Sequence, residues 1–140
     1  MLNPNYNAVI TLYNCLHAKD NPGKKDIWKK TVLQSCFFKA STAVSQNGTE
    51  ATVSNVYTAR IPQSEEYMSY AEWAAAGGSA GFTVSEGDIV VLGECPDDIT
   101  GESPNTASQV LARNKPDAFK VTAFSDNTRH IAGKHYRLGG

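Results

Sequence analysis

At 140 residues and 15.1 kDa the chain is long enough for one domain with a core of its own. Its 41% hydrophobic and 19% charged residues exclude a largely disordered chain. Thirteen basic against fourteen acidic side chains leave a net charge of -1, which excludes a polycation and restricts any hold on nucleic acid to a local patch.

Ala8-Val9-Ile10-Thr11-Leu12-Tyr13 is β-branched and aromatic and predicts a first strand. The turn formers from His17 through Pro22-Gly23 to Lys25 stop it. Asp26 to Leu33 mixes apolar and cationic residues at near-alternate spacing and predicts the return strand of a hairpin with a basic tip. Cys36 to Ala40 continues that strand after a break at Gln34-Ser35. Residues 41–54 are small and polar, with Asn47-Gly48 as a turn signal. Residues 52–61 alternate again, with Asn55 marking a bulge, and Pro62 ends the strand.

Ser69 with Glu72 three residues on is the pattern of a capping box, so 69–76 predicts a short helix that Gly77-Gly78 stops. Phe82-Thr83-Val84 predicts a short strand, Ser85 to Asp88 a turn, and Ile89 to Glu94 the most hydrophobic strand. A long acidic loop spans 96–117, and within it 106–113 predicts a second helix capped by Asn105 or Thr106. Residues 118–124 predict a strand with Phe119, Val121 and Ala123 on one face. Ser125 to Thr128 is a turn and His135 to Leu138 a last strand.

About six short strands and two small helices in long loops predict a mainly β protein, a small barrel or sandwich. It is expected as a single domain over residues 1–140, with a helical arm inserted at 63–81. Alternation along the strands assigns Val9, Leu12, Trp28, Val32, Ile89, Val91, Phe119 and Val121 to the core.

No segment declares a reaction. His130 and His135 are five apart, His17 is the third histidine, and no Cys-x-x-Cys or His-x3-His spacing suggests a metal. Glu65-Glu66 and Asp97-Asp98 lie among turn formers and read as solvated loop charge. No nucleophile sits in a Gly-x-Ser-x-Gly elbow, and Gly77-Gly78-Ser79-Ala80-Gly81 lacks the lysine of a phosphate loop and reads as a flexible joint. Catalytic, cofactor-binding and metal-binding residues are therefore expected to be none. Lys24, Lys25, Lys29 and Lys30 form one basic cluster, which is either a solvated hairpin tip or a contact for nucleic acid or an acidic partner.

Cys15, Cys36 and Cys95 are too few and too scattered for a secreted disulfide scaffold. Each has apolar neighbours and is expected as a small buried hydrophobe. The beginning Met1-Leu2-Asn3-Pro4-Asn5 has no basic region with an apolar core behind it, and no apolar run approaches a membrane span. A reducing cytoplasm is the expected compartment, which makes the sequon Asn47-Gly48-Thr49 a chance match.

Glu86-Gly87-Asp88 with the apolar strand 89–94, then Asp117 to Asn127, then His135 to Leu138, resembles in its order the small β-barrel proteins between portal and tail of long-tailed bacteriophages, the head-closure or stopper class. Thr11 to Asn14, Trp28 to Leu33, Tyr57 to Pro62, and Arg129-His130 through His135-Tyr136 resemble short phage and prophage proteins of Gram-positive hosts over nearly the whole chain. The resemblance implies a structural virion protein and not an enzyme, with no cofactor. It implies a head-tail connector or stopper subunit in a cyclic, twelvefold ring at the virion neck. The implied partners are further copies of itself, the portal or adaptor protein, the tail-terminator or tail-tube protein, and the genome end in the channel, with no membrane. Assembly is implied in the bacterial host cytoplasm. A tail-terminator or minor capsid protein of the same virion is the alternative, and a small-molecule-binding or enzymatic β-barrel the remaining one. On this reading Tyr67, Met68, Tyr70 and Trp73 of the arm pack on a neighbouring subunit, because aromatic and methionine side chains are enriched where protein surfaces meet. The competing reading is that Trp73 and Tyr70 roof the chain's own barrel.

Overall fold

The computed structural model describes residues 7–20, 23, 25–48, 50–78, 81–115, 117–128 and 135–140, and for 42–47, 50–55 and 127 it describes the backbone only. The chain is mainly β. Strand β1 (Ala8–Leu16) lies at the centre of one half of the sheet, and from Ile10 to Leu16 every residue is buried. Antiparallel β2 (Ile27–Asn47) flanks it on one side and β4 (Ile89–Leu92) on the other. Beyond β4 lies β5 (Ala118–Lys120), and beyond β2 come β3 (Glu50–Pro62), β7 (His135–Gly139) and β6 (Ala123–Asn127). The result is one seven-stranded sheet, β5-β4-β1-β2-β3-β7-β6, curled into a half-barrel with two short helices, α1 (Tyr70–Ala75) and α2 (Ala107–Asn114).

The sheet buries apolar side chains on two faces. The inner core takes Ile10, Leu12, Cys36, Tyr57, Ile61, Phe82, Val90, Phe119, Val121, Tyr136 and Leu138. The second core lies outside β1, β4 and β5 and takes Tyr13, Ile89, Val91 and Ala118, with Cys95, Ile99 and Val110 closing over them. A strand between two cores cannot alternate in burial, which is why β1 is buried throughout. Of the expected core residues, Leu12, Ile89, Val91, Phe119 and Val121 are buried. Val9 and Trp28 are only half-buried, and Val32 is 36% exposed. Val32 stands opposite Thr11 in the register, on the outward side of β2, so its strand parity is right for an outer face.

The break expected at Gln34-Ser35 is a bulge within a continuous strand. Ala8 faces Cys36 and Ile10 faces Leu33, so β2 spends an extra residue there, with Ser35 at φ 57. The extra residue lets Leu33 and Cys36, an odd number apart, both meet the inner core. The small polar residues after Ala40 continue β2 to Asn47, turn at Gly48 (φ 68), and return as β3. Registration from Asn47↔Glu50 to Phe37↔Arg60 is unbroken, so no bulge occurs at Asn55.

The strand expected over 118–124 divides into β5 and β6, with Val121-Thr122 between them. These two strands lie at opposite edges of the sheet, so the chain must turn a corner here. Val121 N–H donates to the Asp88 carbonyl at 2.7 Å and Thr122 N–H to the Gly139 carbonyl at 2.8 Å, which fastens both sides of the corner. Strand β6 then runs through the expected turn to Asn127, because Asn127 pairs with His135. Phe82 makes one isolated bridge with Tyr67 in place of the expected strand. Thr106 caps α2 in a full capping box with Gln109, while Ser69 accepts the Glu72 N–H at the start of α1.

Candidate functional site

The arm is tied to its own barrel. Trp73 on α1 is wholly buried. Tyr70 donates to Asp20 Oδ2 at 2.6 Å, accepts the His17 N–H at 3.2 Å, and lies 6.1 Å from the Trp73 ring. Tyr67 stacks on Tyr136 at 4.2 Å and meets Phe82 edge-on at 5.9 Å. Met68 N–H donates to the Phe82 carbonyl at 2.9 Å, and Phe82 N–H to the Glu66 carbonyl at 3.0 Å. Gly81, at φ +71, lies so close to the Glu66 carbonyl that any Cβ would collide with it, and Gly78 packs against the Trp73 ring. Gly78 and Gly81 are thus sites of close approach and left-handed backbone, and Ser79 and Ala80 of the expected joint lie outside the described residues. The four residues thus divide, Tyr67 and Met68 at the rim of the inner core, Tyr70 and Trp73 over the end of β1 and β2. Trp73 has no surface left for a neighbour, and its place is the roof of its own barrel.

The basic cluster disperses as well. Lys24 lies outside the described residues. Lys25 is in the β1–β2 connection. Lys29 and Lys30 are adjacent on β2 and point to opposite faces. The Lys29 stem runs beside Gly78. Lys30 Nζ lies 3.2 Å from Asp98 Oδ1 and donates to the Cys95 and Pro96 carbonyls at 3.3 and 3.4 Å. Lys30 is therefore a strut beneath the acidic loop. That loop is a cover: Asp97 pairs with Arg113 at 3.3 Å, Tyr13 Oη donates to the Asp97 carbonyl at 2.6 Å, and Cys95 N–H donates to Thr11 Oγ1 at 2.8 Å.

Among the described residues, no helix or loop covers the outer face of the other half of the sheet. Register places Phe37, Arg60, Arg137 and Ser125 in one row across β2, β3, β7 and β6, with Lys39, Thr58, Gly139 and Ala123 in the next. Both rows are on the face opposite the inner core. The Arg60 guanidinium stands 5.2 Å from the centre of the Phe37 ring. Val56 is 42% exposed beside them, and a groove of about 380 Å³ runs along Val56, Thr58, Ala123, Phe124 and Arg137. Beyond this face, residues 41–47 of β2 and 50–56 of β3 pair only with each other among the described residues.

A polar cluster closes the end of β1. Asp88, 1% exposed, accepts from Asn14 Nδ2 at 2.8 Å, Ser85 N–H at 2.8 Å and Cys15 N–H at 3.2 Å. Burial pushes its carboxyl up to about 6, although three N–H donors oppose the shift. Burial also pushes the Cys15 thiol up to about 12, with the Asp26 and Asp88 charges adding to it. Cys15 Sγ lies 3.8 Å from His17 Nδ1, and a carboxylate oxygen of Asp26 completes a set whose atoms all lie within 4.8 Å of one another. Sulfur, nitrogen and oxygen donors thus converge where the histidine spacings pointed to none. The legible signal was Cys15-Leu16-His17, a cysteine near the end of a predicted strand with a histidine two residues on, just past the strand end. All three cysteines are free and buried, as their neighbours implied.

Residues 5–140 match the profile of a family of unknown function (DUF6751), and the chain belongs to that family. No curated protein and no solved structure matches the chain.

Proposed function

We propose that this member of DUF6751 is a structural virion protein of a long-tailed bacteriophage, a subunit of the ring that joins head to tail. The observation that carries the reading is a stretch of β-structure that has no partner strand on its outer edges among the described residues. The ribbon 41–47/50–56 has an outer edge on each strand with no further strand against it among the described residues. A two-stranded ribbon is marginal alone in water, and its edges are templates for another strand. The ribbon springs from the half-sheet whose outer face carries Lys39, Val56 and Arg137, all three exposed.

A ring is built from heterologous contacts, in which one surface of each copy meets a different surface of the next. The chain offers two such surfaces, a roofed half with a loop bearing Glu94, Asp97, Asp98 and Glu102, and an open half bearing cations. Neighbouring copies, with portal or adaptor on one side and tail-terminator or tail-tube protein on the other, are the partners this reading assigns. A barrel enzyme is less supported. The one Cys–His contact among the described residues places a buried thiol pushed up to about 12, far from the thiolate a nucleophile needs.

The test is disruption of the gene in a phage or prophage that carries it, with electron microscopy of the particles released. Unjoined heads and tails are the expected result, with joining restored by the full chain and not by one whose residues 42–54 are replaced by Asn-Gly. Intact, joined particles without the gene would overturn the reading.

A further inference from the structure

We propose that Cys15, His17 and Asp26 bind one borderline-soft divalent cation, zinc in chemical class, as a clasp across the β1–β2 connection. The inference does not rest on the virion role. The donors come from both ends of the connection: Cys15 is the next-to-last residue of β1, His17 opens the connection, and Asp26 precedes β2. All three ligand atoms lie within 4.8 Å of one another. A tetrahedral zinc, with Zn–S about 2.3 Å and Zn–N about 2.0 Å, sets sulfur and nitrogen roughly 3.5 Å apart. Cys15 Sγ and His17 Nδ1 are 3.8 Å apart, so a few tenths of an ångström separate this pair from that geometry.

The backbone around the donors is already held. Cys15 N–H donates to Asp88 Oδ1 at 3.2 Å, His17 N–H to the Tyr70 hydroxyl at 3.2 Å, and Ala18 N–H to Asp26 Oδ1 at 2.9 Å. Little conformational freedom remains to be lost on binding. The donor set also selects the ion: a thiolate and an imidazole beside one carboxylate disfavour magnesium and calcium, which take oxygen ligands, and favour zinc.

A bound dication favours the thiolate form of a cysteine that coordinates it. On binding, the S–H bond breaks, a sulfur–metal bond forms from the thiolate lone pair, and the proton leaves to water. Water fills the fourth position.

Cobalt(II) is the probe, added to the full metal-free chain with a non-coordinating phosphine reductant. The expected result is saturation at one cobalt per chain, with a near-ultraviolet thiolate-to-cobalt band that one equivalent of zinc abolishes. Cys15→Ser should remove the band, while Cys36→Ser and Cys95→Ser should keep it. His17→Gln and Asp26→Asn, substitutions at the more accessible end of the cluster, should each weaken cobalt binding at least tenfold while circular dichroism remains that of the folded chain. These two decide the matter if Cys15→Ser does not fold. A wild-type chain without the band, a band surviving Cys15→Ser, or unchanged affinity in both His17→Gln and Asp26→Asn would overturn the proposal.

Discussion

The two halves of the sheet are built from similar strands and treated differently by the rest of the chain. Around β1, β4 and β5, side chains are buried on both faces, because α2 and the loop through Cys95 and Ile99 lie over Tyr13, Ile89, Val91 and Ala118. Around β3, β7 and β6 only the inner face joins a core cluster among the described residues, and the outer face carries a half-buried cation–aromatic pair and an exposed valine. Roofing costs chain length and ordering entropy, and among the described residues the chain spends them on one half only. The difference teaches where a partner surface is to be sought first, on the open half and its ribbon; of the arm, Trp73 is wholly buried, while Tyr67, Met68 and Tyr70 are half-buried.

Substitutions can break this comparison. The largest loss is expected for Trp73→Ala, which empties a wholly buried site and should cost about 3–5 kcal/mol. Thermal unfolding checks it, and a change below about 1 kcal/mol would mean that α1 does not roof the barrel. Trp73→Phe should cost distinctly less, because the buried indole N–H it removes has no hydrogen-bond partner among the described residues. On the roofed half, Val110→Ala should cost about 1–3 kcal/mol by opening the second core beneath α2, measured by urea unfolding. On the open half, Arg137→Ser with Val56→Thr should stay within about 1 kcal/mol of wild type while particles fail to join. A stability loss as large as that of Val110→Ala would show that this face is covered within the chain. The smallest effect is expected for Asp98→Asn at the Lys30 pair. Its carboxylate is 72% exposed, so unfolding in low and high salt should differ from wild type by less than about 1 kcal/mol.

Local pattern made much of this legible. β-branched runs marked β1 and β4, Thr106 marked the start of α2, and Asn47-Gly48 marked the hairpin turn. What stayed hidden depended on distant partners. Nothing near Ala8–Leu16 announces that both its faces will be covered, since the second cover arrives from Cys95, Ile99 and Val110. The ribbon's serines, threonines and alanines have the composition of a loop, and only pairing with each other makes them strands. The corner at Val121-Thr122 exists because two sheet edges must be reached, which no window of sequence contains. The clasp needed the β1–β2 register to bring Asp26 to Cys15 and His17.

Amide hydrogen exchange over residues 41–56, resolved by amide and compared between the isolated chain and joined particles, tests the central claim most directly. In the isolated chain the ribbon amides that point away from the partner strand should exchange fast, while Ile10 to Leu16 stay protected. In particles the same ribbon amides should slow at least tenfold. Protection of the ribbon in the isolated chain equal to that of β1, or exchange unchanged on assembly, would contradict the account.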